Sequence, residues 1–226
     1  VGELAAAHLI GLNLQCFAFI GEAVDYSWQR EAAFRDRVES IGFECHTFFK
    51  TRGPPRKYIE HWHEFEPDLI QWIRELPKPV GIFAAHDPSG RLLAESCRAE
   101  GIRIPEEVVI IGANNDHHVC GMTYPPLSSI EIPWESIGFA TAQLMERYLD
   151  PANAIPRDHL ALVPPTRVVP RRSSDFLSVS NPTLALALVY IHEHACSGIR
   201  VKDVANALRL SRRSIEREFR NTLERT

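Results

Sequence analysis

Residues 80–116 contain two short apolar runs separated by a segment with helical spacing. The runs cover residues 80–85 and 108–112, and their aliphatic content is typical of strands buried on both faces. The segment between them ends at Gly101, a residue suited to the position just past a helix. The pattern therefore predicts a strand–helix–strand unit, and such crossovers connect parallel strands.

The same alternation extends over residues 1–170. The pattern predicts strands at residues 16–21, 43–49, 80–85, 108–112, 125–132 and 160–169. It predicts helices at residues 1–12, 27–40, 92–101 and 135–149, and one that begins near Trp62 and ends at residue 76. The face of the helix at 135–149 that should point inward carries Ile137, Ala140, Leu144 and Tyr148. Strands that alternate with helices predict an α/β fold built on a parallel sheet.

A different module follows these strands and helices. Residues 171–182 contain Arg171, Arg172 and four serines, and this composition is typical of a linker. The next segments have helical patterns at residues 182–194, 201–208 and 212–223. Ser211 is a good N-cap for the last helix, and the residues expected to face inward are Val204, Leu208, Leu210, Ile215 and Phe219. This spacing predicts a helix-turn-helix unit.

Three regions result from these patterns. We predict an α/β domain at residues 1–170, a linker at residues 171–182 and an all-α domain at residues 183–226. The chain does not begin with Met, so we expect a fragment at that end.

The first candidate chemistry lies where two predicted strands end. His86 and Asp87 follow one strand, and Asn114 follows the next. Open parallel sheets bind ligands at the carboxyl ends of their strands. Carboxylate and amide groups suit a sugar, because each sugar hydroxyl both donates and accepts hydrogen bonds. The alternative is that these residues only cap helices and turns.

Two further side chains could complete such a site. Arg30 lies in the first turn of the predicted helix at 27–40, and its planar fork of donors suits sugar hydroxyls. Trp62 could form a wall of the cleft, since aromatic faces stack on the apolar faces of sugar rings. The alternatives are a surface salt bridge for Arg30 and helix-end packing for Trp62.

The second candidate chemistry lies on the last predicted helix. Its outward face carries Arg212, Arg213, Glu216, Arg217 and Arg220. Arginines on such a helix can pair with guanine through two hydrogen bonds or hold phosphates. The alternative is a solvated basic face with no partner.

Charge and composition limit the classes of function that the chain can have. The net charge of −4 argues against a chain that binds nucleic acid along its whole length, although basic residues outnumber acidic ones from residue 200 onward. The five cysteines are widely spaced and form no C-x-x-C motif, so neither a zinc site nor a disulfide framework is indicated. His117 and His118 are adjacent and should point apart, so we expect no metal site. Most of the cysteines should be buried thiols in a reducing cytoplasm, and no apolar run has the length of a membrane span.

The motifs of residues 80–134 resemble a known family. They are a strand ending in His-Asp, the sequence R-x-x-x-x-x-C-x-x-x-G-I-x-I-P, the strand V-I-I-G-A-N-N-D and the segment P-P-L-S-S-I. Together they resemble the carboxyl-terminal lobe of the lactose-repressor/periplasmic-binding-protein fold. Residues 183–226 resemble an arabinose-regulator-type (AraC family) DNA-binding domain. The two modules in this order resemble the xylose operon regulators, and the resemblance covers nearly the whole chain.

The resemblance implies a sugar-responsive transcription regulator. It implies that Arg30 grips sugar hydroxyls and that Trp134 lies against the ligand on a crossover between lobes. It places Arg213, Glu216 and Arg217 on base edges and Arg212 and Arg220 on phosphates. The implied partners are D-xylose or a related sugar, a double-stranded DNA operator, a second copy of the chain and, as a further candidate, RNA polymerase. No cofactor is implied.

The chain also departs from these families. We expect it to hold only one lobe and the crossover segments of the sugar-binding domain, and the first of two helix-turn-helix units. Asn114 stands where related sensors commonly carry aspartate. An amide can donate as well as accept, whereas an ionised carboxylate only accepts, so the recognised pattern of hydroxyls should differ.

The sequence disfavours two other classes of function. An α/β enzyme is disfavoured, because the chain has no Gly-x-Ser-x-Gly elbow, phosphate loop or dinucleotide fingerprint and no assignable nucleophile and base. A periplasmic-type solute-binding protein for transport is disfavoured by the predicted helix-turn-helix unit and by the lack of a signal peptide.

Overall fold

The structure is a computed structural model that describes residues 1–50, 66–149, 161–176 and 182–223. The chain divides into two compact units, Val1–Phe176 and Leu177–Thr226. The first unit contains alternating helices and strands, and the second is helical in its described part.

The first unit follows the predicted order of elements. They are α1 (Gly2–Gly11), β1 (Cys16–Glu22), α2 (Asp25–Glu39), β2 (Cys45–Lys50), α3 (Glu66–Glu75), β3 (Val80–Ala84), α4 (Asp87–Ala99), β4 (Val108–Asn114), α5 (His117–Met122), β5 (Ser128–Glu131), α6 (Trp134–Leu149) and β6 (Arg167–Val169). Strands β1 to β4 lie within two residues of their predicted bounds. Strands β5 and β6 are shorter than predicted, and residues 150–160 lie outside the described part.

The described strands form one sheet with the order β2-β1-β3-β4-β5-β6. All neighbouring pairs from β2 to β5 are parallel, and β6 runs antiparallel to β5. The predicted α/β fold with a parallel sheet is therefore confirmed. The direction in which strands are added reverses between β1 and β3, and such switch points are where open sheets bind ligands.

Helices cover both faces of the sheet, which explains the continuous apolar runs. Phe17 and Phe19 of β1 belong to the core cluster that contains residues of α1 and α2. Ala18 and Ile20 of the same strand belong to the cluster that contains residues of α3 and α4. Strand β1 is buried along its whole length, because each of its faces meets a helical layer.

Gly112 in β4 has a specific packing reason. A Cβ atom at this position would lie 2.4 Å from Oδ1 of Asp87 and 3.3 Å from its Cα. The start of α4 therefore approaches β4 more closely than any side chain would allow. This approach brings the Asp87 carboxylate against the sheet.

The predicted inward face of α6 is confirmed in part: Ile137, Ala140 and Leu144 are half-buried, whereas the other residues of this helix are exposed within the described structure. None of its residues is buried within the described structure, and Tyr148 is 45% exposed. Phe139, at 66%, is also exposed on this helix. The spacing therefore identified the helix and three of the four residues on its less exposed face, and the prediction was wrong for Tyr148.

The predicted linker was wrong for residues 171–176. These residues belong to the first unit, and Ser173 and Ser174 within them are only 0% and 4% exposed. They form a 3-10 turn, Arg172–Ser174, whose hydroxyls bond to the sheet and to α1. The rest of the predicted linker, at 177–181, lies outside the described residues.

The described part of the second unit consists of α7 (Pro182–His194), a 3-10 turn (Ala195–Ser197), α8 (Val201–Ala207) and α9 (Arg212–Leu223). Its small core centres on Ala187, Val204, Ala205 and Ile215. The five side chains predicted to face inward all belong to this cluster. Ser211 accepts a hydrogen bond from the Ser214 backbone N–H at 3.1 Å, so the predicted N-cap is confirmed.

Four of the five cysteines are buried and unpaired, as predicted, and Cys196 is exposed. Burial raises the pKa of the Cys45, Cys97 and Cys120 thiols to about 12, so these three thiols should be unreactive at neutral pH. Among the helices that the structure describes, none is long and apolar enough to cross a membrane.

The close approach at Gly112 yields a first prediction. Gly112→Ala should lower the free energy of unfolding by about 2 kcal/mol, since the Asp87 carboxylate is hydrogen-bonded and cannot move aside cheaply. Gly138→Ala in α6 is the matched control, because its Cβ would meet no described heavy atom within 4 Å. The control should leave stability unchanged or slightly raised. Urea denaturation of both variants checks this, and equal stabilities would contradict the packing argument.

Candidate functional site

Arg30 connects the carboxyl ends of neighbouring strands. It lies on α2, the helix that follows β1, and its guanidinium donates to the carbonyl oxygen of Ala85 and, at 3.2 Å, to Oδ1 of Asn114. The guanidinium also lies over the Tyr26 ring, 5.3 Å from its centroid. Burial lowers the pKa of Arg30, but a guanidinium stays protonated at neutral pH. The side chain is therefore a positioned cation at the switch point of the sheet.

Two consecutive asparagines end β4 with unusual backbone angles. The φ angles of Asn114 and Asn115 are 109° and 54°, a region that L-residues rarely adopt and that Asn tolerates better than most. Such conformations cluster at functional sites. Asn114 uses its Oδ1 to accept from Arg30, and its Nδ2 forms no hydrogen bond within the described residues. A donor is therefore available beside the Arg30 cation.

His86 has two roles in the structure. Its Nδ1 accepts a hydrogen bond from the Ser89 backbone N–H at 3.1 Å, which caps α4 as the alternative interpretation expected. Its Nε2 lies 3.6 Å from Oε1 of Glu22, the last residue of β1. The Tyr26 and His86 ring centroids are 6.3 Å apart. The cap therefore fixes the ring in place without removing it from the site.

Asp87 is placed differently from the prediction. Its side chain is fully buried, and Oδ1 accepts from the Ser129 hydroxyl at 2.5 Å while Oδ2 accepts from the Asp116 backbone N–H at 2.7 Å. Burial raises the pKa of this carboxyl, and its hydrogen bonds partly oppose the rise. With no exposed atoms, Asp87 contacts no ligand in this conformation. We therefore assign it to holding the ends of β4 and β5 against α4.

The structure places only one of the two predicted tryptophans among its described residues. Trp134 begins α6, three residues after the end of β5, and is 57% exposed. It lies near the same edge of the sheet, since Glu131 of β5 pairs in register with Asn114 of β4. Trp62 lies outside the described residues.

The structure adds side chains that the sequence did not single out. Glu22 and Tyr26 come directly after the predicted strand at 16–21, and Glu131 ends β5. Glu131 accepts from Asn115 Nδ2 at 3.3 Å and from Arg167 Nε at 3.1 Å. For Glu22 and Tyr26 the available signal was their position after the predicted strand, whereas Glu131 lay inside the predicted strand at 125–132 and had no such signal.

The resulting arrangement suits binding. Arg30 and Asn114 supply donors, Glu131 supplies a carboxylate acceptor, and the Tyr26 ring supplies an aromatic face. Such a set can pair with the hydroxyls and the apolar face of a small polyol. Among the residues that the structure describes, no group of three or more His, Cys, Asp or Glu side chains could hold a metal ion.

The second candidate site is the outward face of α9. Ser211, Arg213, Ser214, Glu216, Arg217 and Arg220 line one surface groove. Arg212 donates to Glu216 at 2.6 Å, and Arg217 lies 3.5 Å from Glu218. The buried Ile215 and the partly buried Phe219 occupy the opposite face of this helix. The structure therefore brings the predicted DNA contacts together on one exposed surface of the second unit.

Comparison with known proteins assigns the first unit. Residues 6–174 match the family model of the periplasmic binding protein-like domain. The chain belongs to this family. Its matched segment includes every described candidate of the sugar site and the 3-10 turn Arg172–Ser174.

Individual relatives and solved structures extend the comparison. The chain is 32% identical to the xylose operon regulatory protein of Escherichia coli (strain K12) over 228 residues, which cover 99% of this chain and 57% of that protein. The corresponding protein of Haemophilus influenzae is 31% identical over 99% of this chain and 57% of its own length. A structure of the xylose-binding transcription activator xylR has a TM-score of 0.79 at 31% identity, covering 100% of this chain and 59% of that one.

A more distant structure supports the fold alone. The complex of the transcriptional regulator CelR with cellobiose gives a TM-score of 0.60 at 24% identity, over 76% of this chain and 51% of that one. The chain spans little more than half the length of the curated relatives it matches.

The buried Asp87 carboxylate yields a second prediction. Asp87→Ala should lower the free energy of unfolding by about 3 kcal/mol, because the Ser129 hydroxyl and the Asp116 N–H lose a buried acceptor. Asp87→Asn should cost less, since the amide retains one acceptor and the Ser129 hydroxyl can rotate. Thermal or urea unfolding measures both. Stabilities that match the wild-type value would show that this carboxylate does not hold the strand ends.

Proposed function

We propose that this protein is a sugar-responsive transcription regulator of an operon for xylose or a related sugar. The first unit would sense the sugar, and the second would read operator DNA through a helix-turn-helix formed by α8 and α9. The observation that carries the proposal is similarity along 99% of the chain to regulators of xylose operons, combined with a polyol-compatible site at the strand ends.

The sugar half of the proposal rests on the contacts around Arg30. Its two hydrogen bonds fix a cation beside Asn114, and Tyr26 offers a ring face next to it. We propose Arg30, His86, Asn114 and Trp134 as sugar contacts, together with Tyr26 and Glu131, and we propose that the buried Glu22 positions His86. Trp62 stays a proposed wall of the cleft. Asp87 is proposed to act only through the residues that it holds.

The amide of Asn114 bears on which sugar is bound. Because Oδ1 already accepts from Arg30, the available group at this position is the Nδ2 donor. It would pair with a hydroxyl oxygen that accepts, whereas an aspartate here would offer a second acceptor. D-xylose is the first sugar to test because xylose is named in the relatives, and isomers that differ at one hydroxyl are the informative comparison.

The DNA half of the proposal rests on the exposed face of α9. Arg213, Glu216 and Arg217 are proposed to meet base edges, and Arg212 and Arg220 to hold phosphates. An operator reader of this kind commonly acts as a dimer, so a second copy of the chain is the proposed assembly partner. RNA polymerase is a proposed partner of the whole protein, since the similar xylR is named a transcription activator.

Sugar binding would act by population shift. A sugar that binds one conformation of the first unit more tightly than another changes the balance between them by that difference in affinity. The changed balance would alter how two DNA-reading units of a dimer are presented to an operator.

A third prediction tests the sugar site. In the full-length protein, Arg30→Met should weaken binding of the active sugar by about tenfold or more, because a hydrogen bond to a charged group contributes about 1.5–3 kcal/mol. Isothermal titration across D-xylose and its isomers measures the affinities. Arg37→Met is the matched control, since Arg37 is an exposed arginine on the same helix with one 3.5 Å bond to Ser40.

The control should bind the sugar as the wild type does. If Arg30→Met also binds it normally, the site lies elsewhere on the protein. If the wild type binds no pentose or hexose, the sensor half of the proposal is wrong.

A fourth prediction tests the DNA-reading face. With an operator selected from random duplexes, Arg213→Ala and Arg217→Ala should each weaken specific binding by about 1–3 kcal/mol and relax selectivity for the contacted bases. Arg220→Ala should weaken binding to all sequences and reduce the slope of log K against log salt by about one. Fluorescence anisotropy at several salt concentrations measures both effects.

Arg91→Ala is the charge-matched control for these variants. It removes one partly exposed arginine, paired with Glu95, from the first unit. Its DNA affinity should match that of the wild type. Equal losses for Arg91→Ala and Arg213→Ala would indicate a general charge effect and would contradict a specific role for α9.

A further inference from the structure

The segment between β6 and the second unit is held by a buried polar cluster. Ser173 Oγ donates to the carbonyl oxygen of Ile110 in β4 at 2.7 Å and accepts from the Ser128 N–H at 2.8 Å. Ser174 Oγ donates to Ser128 Oγ at 2.7 Å and lies 2.8 Å from His8 Nε2. Ser128, Ser173 and Ser174 are almost completely buried. A segment with the composition of a linker is therefore fixed to the interior of the first unit.

Arg171 binds this segment to the candidate sugar site. One guanidinium nitrogen donates to the carbonyl oxygen of Leu127 at 2.8 Å, and the other donates to Oδ1 of Asn115 at 2.7 Å. The backbone of Arg171 exchanges two hydrogen bonds with the Ser128 hydroxyl, at 2.7 and 2.9 Å. The Arg171 side chain therefore reaches from the segment to the turn that ends β4.

Asn115 is the residue on which these contacts meet. It follows Asn114 directly and shares its positive φ angle. Its Nδ2 donates to Glu131, and its backbone N–H donates to the Ser129 hydroxyl, which in turn donates to Asp87. Asn115 is only 6% exposed, so it is not itself placed to hold a ligand. A change in the turn at Asn114 that displaces Asn115 would move the acceptor of Arg171 or break its bond.

The other end of this segment leads to the second unit. The first unit ends at Phe176 and the second begins at Leu177, five and six residues after Arg171. We propose that the Arg171–Asn115 hydrogen bond couples the sugar site to the point where the chain leaves the first unit. This inference rests on the proposed function, since it assigns the route by which sugar binding would reach the DNA-reading unit.

The coupling has a simple physical basis. A half-buried guanidinium that loses its acceptor still carries the free-energy cost of having been removed from water. The hydrogen bond between Arg171 and Asn115 is therefore either kept, because the two residues move together, or broken completely. Both cases change the restraint on residues 171–176. Contact alone does not establish energetic coupling, so the decisive quantity is the ratio of two operator affinities.

The test uses the full-length protein, D-xylose and the selected operator duplex. Operator Kd is measured with and without saturating D-xylose, and the ratio is the coupling factor. Arg171→Met keeps the aliphatic stem and removes the donors. Asn115→Gly removes the acceptor and tolerates the positive φ angle. Arg172→Met is the matched control, because the neighbouring Arg172 side chain forms no hydrogen bond within the described residues.

Arg171→Met and Asn115→Gly should each reduce the coupling factor by about tenfold. If the wild-type factor is below about ten, they should reduce it to one, which means that sugar no longer affects operator affinity. In Arg171→Met, the affinity for sugar alone and for operator alone should stay within about threefold of wild type, whereas Asn115→Gly also removes the donor to Glu131, a proposed sugar contact. The double variant should show no further loss, because both changes remove the same bond. Arg172→Met should retain the wild-type factor.

Two results would overturn the inference while leaving the proposed function intact. One is a wild-type coupling factor in both Arg171→Met and Asn115→Gly, and the other is a loss of sugar binding itself in Arg171→Met. If one variant fails to fold, the other decides. If D-xylose does not change the operator affinity of the wild type, the proposed function fails for this sugar and the inference fails with it.

Discussion

The buried carboxylate of Asp87 is the interaction on which the candidate site depends. A carboxylate can be buried only where hydrogen bonds replace its water, and here Ser129 of β5 and the Asp116 N–H supply them. The first residue of α4 thereby fixes the ends of β4 and β5. Gly112 makes this geometry possible, since any side chain there would occupy the space of the carboxylate. The site residues can stay half-exposed because this buried anchor holds the backbone beneath them.

Above that anchor, polar groups are arranged in two connected sets. Arg30 joins the ends of β3 and β4 on the side of the switch point. Arg171 joins the turn after β4 to the segment that leaves the first unit. Asn114 accepts a hydrogen bond from Arg30, and the adjacent Asn115 accepts one from Arg171. The turn at these two asparagines therefore lies between the proposed sugar contacts and the segment through which the chain leaves the first unit. A sensor needs such a shared element, because effects at one site must alter the other.

The sequence predicted most of the α/β framework and less of the site. Continuous apolar runs indicated β1, β3 and β4 because helices bury both faces of these strands. The side chain of Asp87 could not be placed, since a polar residue after a strand has the same sequence pattern whether it points to solvent or inward. Residues 171–176 had a linker composition, yet their serines bond to residues more than forty positions away. Spacing also identified α6 as a helix but could not show what, if anything, its apolar residues meet.

The central claim is that ligand binds at the carboxyl ends of β3 and β4. Hydrogen–deuterium exchange of the full-length protein with saturating D-xylose tests it most directly. The result expected is slower exchange in peptides that cover residues 84–87 and 112–116, with no change at residues 105–108, where β4 begins. Protection confined to other parts of the protein, or none at a sugar concentration that saturates binding, would contradict the claim.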